Sequence, residues 1–303
     1  MKERRAVLIW NPTSGGGGAR RAREVENFCA LMRERGVTVE SWATQGPNEA
    51  QTLAHRAAQE GFAELIVSGG DGTFNEALQG LIGAQIKLGF WPKGTGNVLA
   101  REIKIPRRLD KIADVLAGGR TQTIYVGCAT LEATGEQRYF FLMAGIGLDA
   151  SVVQRVNPTL KKKLGKGAFW IAGLAHLGHW TPRPFAVEIA GQSYPATFAA
   201  IGKASRYGSD LAITPRARLD APDFEICLIN SRSRFRYLSL LRYAVSQGVP
   251  EGTRDVRFLR ATKVRATGDE MDTQVDGEYL GQLPITFEIV PQTVEIIVPE
   301  SSF

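Results

Sequence analysis

The sequence predicts a two-domain protein, with an α/β domain containing a parallel sheet with helices on both faces, followed by a β-rich, sandwich-like domain. The chain has 303 residues, which exceeds the length at which a single hydrophobic core usually stops growing. Its first part alternates short β-rich runs with helical segments, and from about residue 123 onward most apolar runs resemble strands. We place the domains at residues 1–125 and 126–303, with an interdomain cleft, and expect the extreme C-terminus to pack back on the first domain.

In the first domain, four apolar runs predict strands: AVLIW, VTVESWA, AELIVSGG and IKLGFWP. The third is almost continuously apolar, as a sheet covered on both faces requires. Between them, residues 19–36 and 48–61 place apolar residues at helical spacing and end at Gly36 and Gly61, where a left-handed cap is favourable. This βαβα order predicts a parallel sheet.

The second domain is predicted to be β-rich because seven strand-like runs are separated by turns. The runs are 121–131, 138–147, 184–191, 194–202, 224–230, 256–268 and 285–290. Two helical segments, 168–179 and 235–247, interrupt them.

Composition favours anionic partners and excludes a disulfide scaffold. The chain carries 37 Lys and Arg against 31 Asp and Glu, a net charge of +6, which favours anionic partners such as nucleotides, anionic membrane surfaces or nucleic acid. Its three cysteines lie far apart without metal-type spacing. The N-terminus lacks a signal-peptide core, and the apolar stretch 168–180 is too short to span a bilayer. We expect a cytoplasmic protein that meets a membrane only from outside.

Three glycine-containing loops follow predicted strands, at the points where α/β sheets bind ligands. The first, WNPTSGGGG, has four successive glycines that let backbone N–H groups approach a phosphate. It lacks the Gly-Lys-Ser/Thr ending of a Walker A loop, and a flexible turn is an equal alternative.

The second loop, SGGDGTFNEALQG, surrounds Asp71 with three glycines, Gly69, Gly70 and Gly72. It can offer amides to phosphate oxygens and one carboxylate to Mg²⁺ or a hydroxyl. In the third, Gly94-Thr95-Gly96-Asn97 follows a strand, and its polar side chains could cap a helix or bind a nucleotide. Because the loops follow neighbouring strands, we expect them to converge.

At these motifs the sequence resembles the diacylglycerol kinase catalytic-domain family, which includes sphingosine and ceramide kinases and bacterial relatives. The resemblance rests on Asn11-Pro12 before the first loop, on Gly69 to Glu76, on Gly94 to Asn97, and on the late Val275-Asp276-Gly277-Glu278. It covers nearly the whole chain and implies a nucleotide domain, a β-rich lipid domain and an active site between them.

The resemblance implies a role for each motif. The nucleotide-binding residues would be Asn11, Thr44, Gly69, Gly70, Asp71, Gly72, Thr73, Asn75, Gly94, Thr95 and Asn97. Asp276 would take the proton of the lipid hydroxyl, with Asp71 and Glu278 as further catalytic carboxylates and Asp71 as the metal ligand. The implied cofactors are ATP and Mg²⁺. From residues alone, Asp276-Gly277 is typical of a β-turn.

The sequence departs from the family pattern at several positions. Val98 and Tyr125 occupy positions where several bacterial members have aspartates that organise Mg²⁺ and water. A turn that binds a structural metal in some members is Leu219-Asp220-Ala221-Pro222-Asp223 here. The metal arrangement of those members therefore cannot be assumed.

Two alternatives to a lipid kinase stay open. An NAD kinase also has a Gly-Gly-Asp-Gly loop and a β-rich second domain, but LGFWPKGTGN does not match the segment expected after the next strand. A catalytically silent nucleotide- or lipid-binding protein is compatible with Val98 and Tyr125.

Other segments favour structural or surface roles. Residues 145–150 fit a dinucleotide pattern that lacks its acidic residue, so we predict a close-packed strand end. His176 and His179 have only His55 as a further histidine, which favours packing over a metal site. Lys161, Lys162, Lys163 and Lys166 could rest on anionic headgroups. The expected partners are a lipid substrate, an anionic membrane surface and a second copy of the chain, but not nucleic acid.

Overall fold

The computed structural model describes residues 4–148, 150–151, 180–206, 211–246, 248, 250 and 252–300. The chain forms two compact units. The first comprises the residues up to Ile124 together with those from Gln292, and the second is Tyr125–Pro291. The predicted helix at 168–179 lies outside the described residues.

The first unit contains the predicted parallel sheet. Its elements are β1 (Arg4–Trp10), α1 (Gly18–Glu34), β2 (Val37–Ala43), α2 (Glu49–Gln59), β3 (Glu64–Gly69), α3 (Asp71–Gln79), β4 (Lys87–Pro92), α4 (Val98–Glu102) and α5 (Leu109–Gly118). The strands lie in the order β2-β1-β3-β4, all parallel, and the end of the last strand of the chain, β16 (Ile285–Ile297), pairs beside β4 in the same direction. Every residue of β3 is buried, as a central strand covered on both faces requires.

Aromatic side chains attach the helices to this sheet. Helix α1 buries Val25, Phe28 and Met32 at helical spacing, and Phe28 stacks on Trp91 of β4 with ring centroids 4.5 Å apart. Phe74 of α3 packs edge-on against Phe90 with centroids 5.1 Å apart. These contacts hold α1 and α3 against β4.

The second unit is β-rich, as predicted. Its strands are β5 (Thr121–Leu131), β6 (Gln137–Phe140), β7 (Met143–Ile146), β8 (Phe185–Ile189), β9 (Gln192–Ala196), β10 (Phe198–Gly202), β11 (Phe224–Ile229), β12 (Val256–Ala261), β13 (Lys263–Thr267), β14 (Asp272–Val275), β15 (Glu278–Gln282) and β16 (Ile285–Ile297). The helix α6 (Arg234–Ser246) lies between β11 and β12 in the chain. Strands β5 and β16 each begin in one unit and end in the other.

Two antiparallel layers enclose the core of the second unit. One has the order β12-β11-β10-β7-β14-β15, and the other includes β16-β13-β8-β9. Phe140, Phe224 and Phe287 are fully buried in one cluster, with the Phe140 and Phe224 rings stacked 5.6 Å apart. The run 138–147, predicted as one strand, is two strands interrupted at 141–142.

Candidate nucleotide and acceptor sites

The three glycine-containing loops (residues 11–18, 68–73 and 93–97) lie against one another at the carboxyl ends of β1, β3 and β4. The backbone N–H of Asn11 donates to the carbonyl of Ser68 over 3.0 Å, and that of Lys93 donates to the carbonyl of Gly69 over 2.6 Å. The backbone N–H of Thr44, just after β2, donates to the carbonyl of Trp10 over 3.0 Å. The expected convergence of loops within this unit is therefore present; we call them the three-loop site.

Two glycines permit the closest approach between the second and third loops. An ideal Cβ placed on Gly94 would lie 2.5 Å from the Cα of Gly70. The reverse substitution, a Cβ on Gly70, would lie 3.2 Å from the Cα of Gly94. Gly94 is therefore required for packing rather than for an unusual φ angle, and a side chain at Gly70 would be tightly packed.

Asp71 connects the second loop to α4. Its two carboxylate oxygens accept hydrogen bonds from the backbone N–H groups of Val98 and Leu99, over 3.0 and 3.1 Å. Those are two of the donors that a helix start leaves without partners inside the helix. Burial raises the pKa of Asp71, against the lowering effect of these backbone hydrogen bonds. The departure from the family pattern at Val98 thus places its N–H, not its side chain, on Asp71.

The first loop is built from glycines in conformations that other residues rarely adopt. Gly15, Gly16, Gly17 and Gly18 all have positive φ angles, and Gly17 combines φ 69° with ψ 178°. The Asn11 side chain accepts hydrogen bonds from the backbone N–H and the hydroxyl of Thr13, over 2.9 and 2.8 Å. The side chain of Asn11 therefore shapes the loop from within.

Sequence reasoning missed a charged cluster behind these loops. Arg21, in the first turns of α1, is 1% exposed, donates to the hydroxyl of Ser68 over 2.5 Å and lies 4.5 Å over the Trp91 ring. Its Nε–H has no hydrogen-bond partner within the described part of the chain. The available signal was its position: Arg21 lies four residues before Val25, on the same helical stripe as Val25, Phe28 and Met32, so a cation occupies a core position of α1.

Lys93 adds a second cation next to the first loop. An ideal Cβ on Gly15 would lie 3.2 Å from Lys93 Cδ, and the ammonium forms an ion pair with Glu24 over 2.8 Å. Burial opposes ionisation of Glu24, but Lys93 and Arg21 outweigh it and lower the pKa of Glu24. The cluster is thus two cations and one carboxylate beside backbone N–H groups, a setting that suits an anion.

Several predicted nucleotide residues make local hydrogen bonds instead of presenting free side chains. Asn97, with φ 48°, accepts from the N–H of Gly94 over 2.9 Å and donates to its carbonyl over 2.7 Å. Asn75 is 2% exposed and accepts from the Gln79 amide over 2.8 Å. Thr73 packs on Gly69, whereas Gly72 and Thr95 are exposed. The asparagines therefore stabilise the third loop and α3.

In the second unit, Asp276 occupies the hairpin turn between β14 and β15. Asp276 and Gly277 have φ angles of 47° and 84°, as a type I′ turn requires. The Asp276 carboxylate accepts hydrogen bonds from the backbone N–H groups of Phe141, Leu142 and Met143, over 3.0, 3.0 and 2.9 Å. It therefore fixes the interruption between β6 and β7, which we call the 141–143 turn.

Neighbouring polar groups support the Asp276 turn. The buried Gln274 side chain accepts from the N–H of Gly277 over 2.8 Å. Glu278, the other predicted carboxylate of this hairpin, forms an ion pair with Arg138 over 2.5 Å. Its carboxylate is therefore neutralised by an arginine on β6.

Asp71 is the predicted metal ligand, and the donors around it decide whether it can hold Mg²⁺. No group of three or more His, Cys, Asp or Glu side chains suited to a metal occurs among the described residues. A Mg²⁺ that arrives with phosphates needs only one or two protein carboxylates. Asp71 retains acceptor capacity, since an ionised carboxylate has about four lone-pair positions, so it fits such an ion.

Some sequence predictions fall outside the described residues: His176, His179 and the lysines at 161–163 and 166. The strand-end prediction at residues 145–150 includes the undescribed Asp149, but an ideal Cβ on Gly147 would lie 3.1 Å from the carbonyl oxygen of Thr197, which is close packing. Within the described ranges, no helix is both long and apolar enough to cross a membrane.

Comparison with known proteins gives matches over nearly the whole chain. The profile described as the diacylglycerol kinase catalytic domain matches residues 5–129. The profile described as the YegS C-terminal NAD kinase beta sandwich-like domain matches residues 143–298. Together the two profiles cover both units.

Individual relatives agree with the profiles. A diacylglycerol kinase of Mycobacterium tuberculosis is 30% identical over 97% of this chain and 95% of its own length. A diacylglycerol kinase of Staphylococcus carnosus is 29% identical over 98% of this chain and 96% of its own length. The crystal structure of a diacylglycerol kinase from Bacillus anthracis superposes with a TM-score of 0.77 at 18% identity, covering 100% of both chains, and this likeness concerns the fold.

Proposed function

Since the chain belongs to the diacylglycerol kinase catalytic-domain family, we propose that it is an ATP-dependent lipid kinase. It transfers the γ-phosphoryl group of Mg-ATP to the hydroxyl of a diacylglycerol-like or sphingoid lipid. The relatives named diacylglycerol kinase match over nearly their full length, which supports a kinase. We infer in addition that the acceptor is a lipid of the diacylglycerol-like or sphingoid class.

The observation that carries the proposal is the three-loop site. The first loop contains four glycines with positive φ, Lys93 lies beside Gly15, and Arg21 provides a second, buried cation behind the loops. Phosphoryl transfer depends mostly on positioning and charge stabilisation, which such groups supply. In the proposal, the loops and Lys93 hold the phosphates, and Asp71 is the carboxylate that would hold Mg²⁺.

When bound, Mg²⁺ would neutralise charge on the β- and γ-phosphates. Coordination requires an ionised Asp71, and its raised pKa means that acid will displace the ion at a higher pH than it would from an exposed aspartate. The Asp71 carboxylate is held toward α4 by Val98 and Leu99, so its orientation is set before the nucleotide arrives.

Asp276 is proposed to orient the lipid hydroxyl and accept its proton. Three backbone N–H donors hold the Asp276 carboxylate in place, which makes it a firmly positioned hydrogen-bond acceptor. In a loose phosphoryl-transfer transition state the nucleophile needs orientation more than early deprotonation. This geometry therefore suits the role that the family resemblance implies.

The proposal includes contact with the anionic membrane that contains the lipid. Helix α6 exposes Phe235, at 83%, with Leu238 and Val245 on the same face, and Arg234 and Arg242 of this helix are also exposed. Apolar side chains beside arginines are the composition of a helix that rests in a headgroup layer. We call this surface, Phe235, Leu238, Arg242 and Val245, the α6 face.

An NAD kinase is the second candidate, because the profile matching residues 143–298 carries the name of an NAD kinase sandwich. The test is incubation of the purified protein with γ-labelled ATP, Mg²⁺ and either a total lipid extract or NAD. The proposal predicts label in one lipid class and none in NAD. Label in NAD alone would establish the second candidate, and nucleotide binding without any labelled product would indicate a silent binding protein.

A further inference from the structure

Lys203 is a buried cation at the centre of one turn of the second unit. It follows β10 directly and is 0% exposed. Its ammonium donates to the backbone carbonyl oxygens of Arg218, over 3.0 Å, of Asp223, over 3.2 Å, and of Ala221. An ammonium has three N–H donors, so three carbonyls of the 218–223 turn match its full donor set.

The acidic side chains of the same turn are paired with arginines. Asp220 receives two hydrogen bonds from Arg218, over 2.9 and 2.7 Å. Asp223 receives two from Arg260, over 2.8 and 2.5 Å. The carboxylates that a divalent cation would need are therefore already neutralised by arginines. Ala221, between them, has no oxygen in its side chain to offer such a cation.

Converging carbonyls and carboxylates are the ligands of a hard cation, and a buried charge persists only when it is paired. Here the position at the centre is filled by a side chain of the protein. We propose that Lys203 is the resident cation of the 218–223 turn, so that this turn folds without the structural metal found there in some family members.

The charge balance around the ammonium supports this assignment. Burial lowers the pKa of Lys203 to about 8, against the raising effect of Asp223 and Asp220, while Arg260 lowers it further. The three carbonyl oxygens favour the charged form in addition. The three carbonyl acceptors thus match the three N–H donors of the ammonium, as the role requires.

The turn matters because it connects to the Asp276 hairpin. The backbone N–H of Lys203 donates to the carbonyl of Leu142 over 2.8 Å, and the N–H of Leu142 donates to Asp276 over 3.0 Å. The carbonyl of Leu219 accepts from the N–H of Tyr125 over 2.9 Å. Lys203 thus connects the 218–223 turn, through its ammonium, with the 141–143 turn, through its backbone N–H, and the 218–223 turn also contacts β5.

The test is thermal unfolding without nucleotide, in chelator and then in millimolar Mg²⁺ or Ca²⁺. It is run in an Asp71→Asn background, so that the three-loop site contributes no metal response. The proposal predicts the same melting temperature in all three conditions. A cation-dependent rise that disappears on Asp220→Asn would show that the turn binds a metal and would overturn the proposal.

Two substitutions sharpen the result. Lys203→Met, which fills the space without a charge, should lower the melting temperature by on the order of 10 °C in every condition. Lys203→Ala leaves a cavity facing the carbonyls, and Ca²⁺ or methylammonium should recover part of its loss. Lys263→Met, at an exposed lysine paired with Glu288, is the control and should change little.

If both Lys203 variants fail to fold, the unsubstituted side chain is still measurable. Nitrogen-15 NMR should show one slowly exchanging lysine ammonium resonance at neutral pH. Its absence at low temperature would mean that the ammonium is not held by the three carbonyls, which contradicts the proposal.

Discussion

We expect Lys93 to bind the nucleotide phosphates in the three-loop site. It lies beside Gly15 and is paired with Glu24. We expect Lys93→Ala to raise the KM for ATP about 10-fold, the loss of one charge-assisted hydrogen bond, with little change in the KM for lipid. Lys87→Ala, at the exposed opposite end of β4, is the control. Equal values of KM for ATP in the two variants would remove Lys93 from the site.

Asp276 combines a structural and a proposed chemical role, and one substitution affects both. Asp276→Asn should lower kcat by roughly 10²–10⁴-fold, the range for loss of a general base, and should also lower the melting temperature, because the carboxylate binds three backbone N–H groups. The measurement is kcat at saturating ATP and lipid, together with thermal unfolding.

A control within the same turn separates the two roles. Gln274→Met removes the acceptor for the Gly277 N–H and leaves Asp276 in place. At matched loss of melting temperature, Asp276→Asn should lose far more activity than Gln274→Met. Parallel losses in both variants would assign Asp276 a purely structural function.

At the scale of elements, the contact between the second and third loops depends on Gly94. Gly94→Ala would bring a Cβ to 2.5 Å from the Gly70 Cα, which forces the loops apart. We expect a destabilisation of about 1–3 kcal/mol and loss of nucleotide binding, measured by denaturant unfolding and calorimetric titration. Gly118→Ala, at a position where a Cβ meets no atom within 4 Å, should leave binding unchanged. Unaltered nucleotide binding by Gly94→Ala would refute this packing requirement.

The exposed apolar residues of helix α6 predict that this helix binds membranes. Phe235→Ser should weaken binding to vesicles that contain anionic lipid by roughly 30-fold, measured by cosedimentation, since burial of this apolar side chain contributes about 2 kcal/mol. Tyr279→Ser, at another exposed aromatic of the second unit (41%), is the control. If Phe235→Ser binds vesicles as well as the unsubstituted protein, the α6 face does not meet the membrane.

Sequence patterns predicted the elements better than the contacts between them. The βαβα periodicity and the glycine loops were predictable because each depends on residues adjacent in the chain. The partners of Asp71 are Val98 and Leu99, which lie 27 and 28 positions later, and no local pattern encodes that pairing. The burial of Arg21 follows from its place on the apolar stripe of α1, but its contacts with Ser68 of β3 and Trp91 of β4 have no local pattern.

For the whole molecule, fold class followed from strand and helix order, whereas sheet order did not. The alternation predicted a parallel sheet, and β2-β1-β3-β4 is one. The pairing of β16 beside β4 joins residues about 200 positions apart, which periodicity cannot specify. Likewise, the sequence does not reveal that Lys203 occupies the 218–223 turn. That placement depends on the positions of three backbone carbonyls 15 to 20 residues later in the chain.

In the proposed reaction, the three-loop site holds a nucleotide whose γ-phosphoryl group is transferred to a lipid hydroxyl. It is tested by the rate at which label moves from γ-labelled ATP to diacylglycerol or to a sphingoid base in mixed micelles, for the unsubstituted protein and for Asp71→Asn. We expect one of the two lipids to be labelled, and the labelled lipid to form at least about 100-fold more slowly with the variant. Equal rates for the two proteins, or label released only as inorganic phosphate, would contradict the proposed reaction.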